Sequence, residues 1–336
     1  MAHTVTVIPG DGIGPEVTAA AQRVLAAADT PIAWELAQAG SDVELKRGTP
    51  VPDEVLASIQ KNRVALKGPT ETAIGKGSKG VNVTLRQTLD LYASIRPIKS
   101  IPGVSIAHPN VDLVVVRENT EGIYAALEHM VVPGVAESIK VVTARGSTRI
   151  AEFAFRYARS EGRKRVCVVH KANLLKITDG LFLDCAMRVA QLHKDIDSTQ
   201  MIIDGCANLL ARSPQTFDVL LMDNLYGDVL SNLCAGLVGG TGLVPGASIG
   251  ERCAIFEPVH GSAPDLGGHG IANPIAQIRS AALMLHHLGL TRHAVRIEAA
   301  VLRVLAQGDV RTVDLGGQDS TEKMTDAVCR EVERSD

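Results

Sequence analysis

Three short runs of this 336-residue chain hold residues whose types and spacing could do chemistry together. They are Arg117–Gly122 (RENTEG), Val169–Leu174 (VHKANL) and Asn224–Asn232 (NLYGDVLSN). Arg117 offers a fork that binds carboxylates bidentately, and Asp228 offers a hard oxygen ligand for a divalent cation. Lys171 and the nearby Tyr124 can pass a proton on and off a carbon skeleton. A single arginine is usually a solvated surface residue. Arg86, Arg96 and Arg117 fall within about thirty residues, and Asn82 stands four before Arg86 on one helix face, so a carboxylate clamp is the better reading. Asp228 and Asn232, also four apart, project two oxygens to one side, and Asp204 after Met201-Ile202-Ile203 is a third candidate ligand. The chemistry implied is that of a small polycarboxylate with a metal such as Mg²⁺. Lys171 directly follows an apolar strand, so its stem is expected to be half buried and its ammonium desolvated, which favours a proton acceptor. Alone, it would read as a strand-end lysine reaching for solvent, Tyr124 as packing, and Asp228 with Asn232 as surface polarity.

The elements that must position these groups alternate between strand and helix. Thr4–Ile8 reads as a strand, PGDGIGPE as a turn, and residues 17–28 as a helix with Pro15 at an early helical position. The three glycines of that turn form G-x-G-x-G, with Pro15 where a third dinucleotide-binding glycine belongs, so the turn is not a Rossmann fingerprint. Val64–Leu66 is a strand ending at Lys67, Ile74–Gly80 a flexible basic loop, and Asn82–Tyr92 a helical segment. Strands at 111–116, 165–169 and 217–222 deliver Arg117, His170-Lys171 and Asp223-Asn224, as open α/β sheets do at their ligand crevices. Residues 130–132 and 139–143 suggest a small hairpin, and 148–160 a helix. Glu257–Asp265 reads as a loop, and His286-His287 as part of an apolar helix.

Composition is consistent with this. At 336 residues two lobes are expected, and 46% hydrophobic residues with only 3% aromatics suit parallel strands buried under helices. The best crossover points are Arg96-Pro97 and Gly236–Gly242, which make one lobe discontinuous: residues 1–97 with 240–336, against 98–239. A net charge of −3 gives no reason to expect a nucleic acid or an anionic membrane as partner. No stretch approaches a membrane helix, and the six scattered cysteines read as buried reduced thiols, so a cytoplasmic site of action is expected.

With these motifs in hand the chain resembles the β-decarboxylating dehydrogenases that act on isocitrate, homoisocitrate and 3-isopropylmalate. The resemblance runs through GDGIGPE, LYASIRP, VVRENTEGIY, VHKAN, DGLFLD, NLYGDVLSN, FEPVHGSAPD, ANP and DLGG, and within the family it is strongest to the NAD-dependent isocitrate enzymes. It implies a two-lobed α/β/α fold that is not a Rossmann domain, and at least a dimer, with the lysine and one metal aspartate supplied by a neighbouring subunit. It implies Tyr124 and Lys171 as the catalytic pair. Arg86, Arg96, Arg117, Asn82 and Asn173 would bind substrate, and Asp204, Asp228 and Asn232 would hold Mg²⁺ or Mn²⁺. Thr72, His260, Gly261, Ser262, Ala263, Asp265 and Asn273 would bind NAD, with Asp265 favouring NAD over NADP. Two positions depart from the family: Gly80 stands where the isocitrate enzymes commonly carry serine, and Asn232 where a second aspartate is usual. The expected activity is oxidation and decarboxylation of isocitrate to 2-oxoglutarate. The alternatives are homoisocitrate as substrate, towards which Gly80 points, and a non-catalytic regulatory subunit of an NAD-dependent isocitrate dehydrogenase.

Overall fold

A computed structural model describes residues 2–72 and 79–334. Along the chain run β1 (His3–Ile8), α1 (Gly14–Ala27), β2 (Ile32–Leu36), α2 (Ser41–Arg47), α3 (Asp53–Asn62), β3 (Val64–Lys67), α4 (Val81–Thr88) and β4 (Ala93–Lys99). Next come β5 (Asp112–Glu118), β6 (Gly122–Val132), β7 (Val135–Val141), α5 (Ala144–Ser160), β8 (Arg165–His170), α6 (Thr178–Ala190), β9 (Asp197–Ile202) and α7 (Ile203–Arg212). The chain ends with β10 (Val219–Met222), α8 (Asn224–Leu237), β11 (Pro245–Ile249), β12 (Ala254–Pro258), α9 (Ile275–His287), α10 (Thr291–Gln307) and α11 (Thr321–Glu333). The basic loop expected at Ile74–Gly80 lies, from 73 to 78, outside the described residues.

Ten strands form one sheet in the order β2-β1-β3-β12-β11-β4-β5-β10-β8-β9. Strands from 1–97 and 240–336 fill one end and those from 98–239 the other, with β4 crossing residue 97. The expected boundary at residue 97 thus falls within a strand of this one sheet. The sheet is not all parallel: β11 is antiparallel to both β12 and β4, and β4 is antiparallel to β5. A short turn joins β11 to β12, closed by Gly250 N–H on the Cys253 carbonyl at 2.9 Å, and such a turn can link only antiparallel strands. Among the assignments that change, the α4 helix stops at Thr88, Glu257-Pro258 ends a strand before the loop begins, and the hairpin pairs 122–132 with 135–141.

Alternation along the central strands sorts residues between two faces. On one face Ile95 and Phe256 join the cores under α5–α6 and α9–α11. On the other, Ser94, Arg96, Ser248 and Glu257 floor a cleft of about 340 Å³. Helix α4 lines one side of this cleft and α8 the other, each packed in a cluster that also holds α3 or α7 respectively. The two-stranded β6–β7 sheet stands apart, with Met130, Val132, Val135 and Ile139 exposed.

PGDGI is a turn and GPE already opens α1, with the glycines serving backbone-to-backbone contact. A Cβ on Gly10 would lie 2.1 Å from the Pro69 carbonyl oxygen, and one on Gly12 2.1 Å from that of Ser262. Asp11 ties the same loops together, accepting from Ser41 N–H at 2.9 Å and Glu71 N–H at 2.8 Å. Five of the six free cysteines are buried. Among the described residues no helix is long and apolar enough to cross a membrane.

Candidate active site

The cleft is built around the face of α8. Asn224, Gly227, Asp228 and Ser231 recur at helical spacing, and each meets an arginine. Arg117, at the end of β5 and 1% exposed, sends Nε and Nη2 to Asn224 Oδ1 (3.1 and 2.6 Å) and Nη1 to Asp228 Oδ1 at 2.6 Å. Its stem fits because residue 227 is glycine: a Cβ there would lie 2.5 Å from Arg117 Cγ. Arg96, in the middle of β4, reaches Ser231 Oγ and Asp228 Oδ1, the latter at 3.2 Å. Tyr124 donates its hydroxyl to Asp228 Oδ2 at 2.6 Å, and its ring lies 5.0 Å from the Arg117 guanidinium. Arg86, on α4, pairs with Glu257 at 3.3 Å.

The electrostatics follow from this packing. Burial alone would raise the Asp228 carboxyl, but Arg117, Arg96 and the Tyr124 hydrogen bond hold it below the usual range, so it stays ionised. Burial, and then Asp228, push the Tyr124 phenol up, so it keeps its proton. Burial, and then the neighbouring Arg96 and Arg86, draw Arg117 down to about 9, still charged at neutral pH. Glu257 is buried, yet Lys67 at 2.8 Å and Arg86 hold it down to about 2.

The cleft also holds buried polar atoms with no partner among the described residues: Thr70 Oγ1, Asn82 Oδ1, Arg86 Nε and His260 Nε2. Unpaired groups of this kind are costly in a packed protein and are explained where a ligand completes them. His260 Nδ1 lies 3.0 Å from the Gly261 carbonyl, which can only accept, so Nδ1 carries the hydrogen and Nε2 is a bare acceptor. Burial lowers this histidine's pKa, favouring the neutral ring.

Thus Asn82, Arg86, Arg96, Tyr124, Asp228, Thr72, His260 and Gly261 all line one cleft, with Arg117 directly behind Asp228. Ser262 joins the same loop, its carbonyl accepting from Ile13 N–H at 2.8 Å, and Ala263 bends it with a φ of 40°. Asp265 is exposed on the turn that follows. Asn273 is buried; its amide bonds Asp314 at 2.9 Å and its oxygen accepts the Ile275 N–H at 3.0 Å, so its side chain braces the start of α9. Gly80 is close-packed as well: a Cβ there would lie 2.4 Å from Thr72 Oγ1, so the threonine hydroxyl occupies the space a side chain at 80 would take.

Lys171, Asp204 and Asn173 are not among the residues lining this cleft. Lys171 Nζ pairs with Asp204 Oδ1 at 2.6 Å, and Asp204 is 70% exposed at the start of α7. The half-buried stem expected from the sequence is present, but the ammonium is ion-paired. Asn173 is exposed on the turn beside it. Asn232 is exposed and its amide donates to the Asp228 carbonyl at 2.9 Å. Among the described residues of one chain, no group of three or more His, Cys, Asp or Glu side chains is placed to hold a metal ion.

Several working residues escaped the sequence reading. Ser231 anchors Arg96, and Asn224, placed at the crevice rim by the strand before it but given no role there, anchors Arg117. Lys67, 1% exposed at the end of an apolar strand, and Glu257 behind Arg86 carried no local sign of their pairing. Within RENTEG, Glu118 folds its own loop by accepting Thr120 N–H (2.9 Å) and Glu121 N–H (2.8 Å), and Glu121 accepts Thr143 N–H (2.9 Å) at the start of α5.

Residues 4–328 match the family described as isocitrate/isopropylmalate dehydrogenase. Catalytic subunit 5 of the mitochondrial NAD isocitrate dehydrogenase of Arabidopsis thaliana is 47% identical over 97% of this chain and 87% of its own length. Chloroplastic 3-isopropylmalate dehydrogenase of Solanum tuberosum is 48% identical over 91% of this chain and 86% of its own. The crystal structure of isocitrate dehydrogenase from Methylococcus capsulatus superposes with a TM-score of 0.96 at 48% identity, covering 98% of this chain and 99% of that one. With the fold, the arginine-lined cleft and these likenesses agreeing, the chain belongs to the isocitrate/isopropylmalate dehydrogenase family.

Proposed function

We propose that this chain is a catalytic, NAD-dependent isocitrate dehydrogenase that oxidises and decarboxylates isocitrate to 2-oxoglutarate and CO₂. The observation that carries the reading is the convergence of Arg96, Arg117 and Tyr124 on one ionised carboxylate, Asp228, with Asn82 and the Glu257-paired Arg86 lining the same cleft. Arg86 and Arg96 line the cleft and retain N–H donors for substrate carboxylates, with the Arg117 charge close behind Asp228. On α4 the cleft-facing residues are Asn82, Val83 and Arg86, a wall that suits a third carboxylate better than an isopropyl group.

Lys171 of a second copy would accept the proton of the substrate C2 hydroxyl in the oxidation, for which NAD, when bound, would supply the hydride acceptor, and C–C cleavage then releases CO₂. Tyr124, kept protonated beside Asp228, returns a proton to the enol carbon. The arginines hold the carboxylates so that only one conformer reacts. The donor set suits a hard cation: Asp228 is ionised in the cleft with Asn232 one turn on, and Asp204 would join from a second copy. When bound, Mg²⁺ or Mn²⁺ would supply positive charge to polarise the substrate oxygens. The His260–Asp265 loop, with its unpaired His260 Nε2, and Thr72 would hold NAD, the hydride acceptor, while Asn273 braces that side.

A homodimer with shared sites accounts for Lys171 and Asp204 pairing outside their own cleft. It would also cover Leu225, Val229 and Leu233, an exposed stripe along α8, and the apolar β6–β7 arm. Gly80 keeps homoisocitrate as the second reading. Purified chain, assayed with isocitrate, homoisocitrate and 3-isopropylmalate against NAD and NADP, tests all of this. Formation of 2-oxoglutarate from isocitrate with NAD is expected, and its absence overturns the assignment. Activity of the chain without a partner protein excludes a purely regulatory subunit.

A further inference from the structure

Away from the cleft lies a cluster of buried charge that the mechanism does not use. Lys140 is on β7, the returning strand of the exposed arm, yet its side chain is only 13% exposed. Its ammonium lies 2.5 Å from Asp179 Oδ1 and 2.5 Å from Asp223 Oδ2, and 4.8 Å from the centre of the Tyr226 ring. Each carboxylate has a second duty. Asp179, in the first turn of α6, accepts the backbone N–H of Lys171 on its other oxygen at 2.7 Å. Asp223 caps α8, accepting the Tyr226 N–H at 2.9 Å.

Two buried carboxylates facing one ammonium would carry a surplus negative charge. Both stand at helix N-termini, where the unpaired N–H groups and the dipole supply the missing positive character. Asp223 is nevertheless pushed up by burial, with Lys140 opposing, so the cluster depends on the ammonium staying in place. Removing it leaves two desolvated carboxylates that must separate, protonate or admit water.

We infer that Lys140 is a positioning residue for the reaction proposed above, locking together the arm, the backbone of the catalytic lysine and the helix that carries Asp228. The inference rests on that reading for the roles of Lys171 and Asp228. In a shared-site dimer the consequence is specific: Lys140 would set the lysine that its chain lends to a second copy and the carboxylate it keeps, through one ammonium. The substrate grip should be spared. Asn82 and Arg86 sit on α4, which bonds none of Lys140, Asp179 and Asp223, and Arg96 is fixed within β4, touching α8 only at Asp228 and Ser231, more than a turn beyond the end that Asp223 caps.

The test is steady-state kinetics and thermal melting of the full chain carrying Lys140→Met, which keeps the length and removes the charge. Expected is a fall in kcat of roughly 10- to 100-fold, the range for groups that orient catalytic residues, with KM for isocitrate within about threefold of wild type. Lys140→Arg, able to bridge both carboxylates, should recover most of the lost turnover. If Lys140→Met does not yield folded protein, Asp179→Ala probes the same link while leaving the Lys140–Asp223 pair balanced, and should show the same split. Wild-type kcat with only a lower melting temperature would overturn the role, as would kcat and KM changing in parallel. A wild-type chain that turns over none of the three candidate substrates overturns the parent reading and this one with it.

Discussion

Replacing Gly227 with alanine adds one methyl group to the inner face of α8. The new Cβ would lie 2.5 Å from Arg117 Cγ and 2.6 Å from its Cβ, whereas carbon atoms settle at about 3.5–4.0 Å, so roughly 1 Å of movement is required. Arg117 has little room to give: its backbone is in β5, and its guanidinium is held by Asn224 and Asp228 at 2.6–3.1 Å. Overpacking of this kind costs about 1–3 kcal/mol, and a disrupted hydrogen bond to a charged group about 1.5–3 kcal/mol. Against this stands about 1 kcal/mol of improved helix propensity. The expected outcome is a net loss of about 2–4 kcal/mol with weaker binding of isocitrate, read by denaturant unfolding and by KM. Gly236→Ala provides the control on the same helix: nothing lies within 4 Å of its Cβ, so it should be neutral or stabilise by up to about 1 kcal/mol. If Gly227→Ala were as stable as Gly236→Ala with an unaltered KM, the close approach of Arg117 to α8 would be refuted.

Two further outcomes are expected. Glu257 has its carboxyl held down to about 2 against the usual 4.5, so it contributes stability above pH 4.5 that is lost as pH falls towards 2. That depression corresponds to roughly 3 kcal/mol, and Glu257→Gln should flatten acid unfolding across this window while lowering stability at pH 7 by about 3–5 kcal/mol, because Lys67 and Arg86 lose their partner. An unchanged acid transition would show that the pair does not control it. Asp265→Lys should move the ratio of kcat/KM for NADP over NAD upward by about tenfold or more, since a cation there would attract the 2′-phosphate instead of repelling it. Its exposed position predicts a stability change within about 0.5 kcal/mol, and an unmoved ratio would remove Asp265 from cofactor choice.

What the sequence alone determined lies in local pattern. Arg117, Lys171 and Asn224 can be placed at strand ends because an apolar run that stops at a polar residue marks the rim of a sheet. Asp228 and Asn232 can be placed on one face of a helix because the period is 3.6. The proline in PGDGIGPE excludes a dinucleotide loop without any structure. Only the tertiary structure decided which of these residues meet. Glu257 comes to Arg86 from 171 residues away, and Asp228 to Arg96 from 132, across strands whose antiparallel order no periodicity encodes. The same is true of Gly227, whose meaning depends on an arginine arriving from β5, and of Lys171, whose burial could be expected but whose pairing with Asp204 could not. A side chain's chemistry is written in its type, whereas its protonation state and its partners are set by groups that the fold brings alongside. That is why the arginines were legible as a clamp, while the carboxylate that gathers two of them could be identified only once the sheet was assembled.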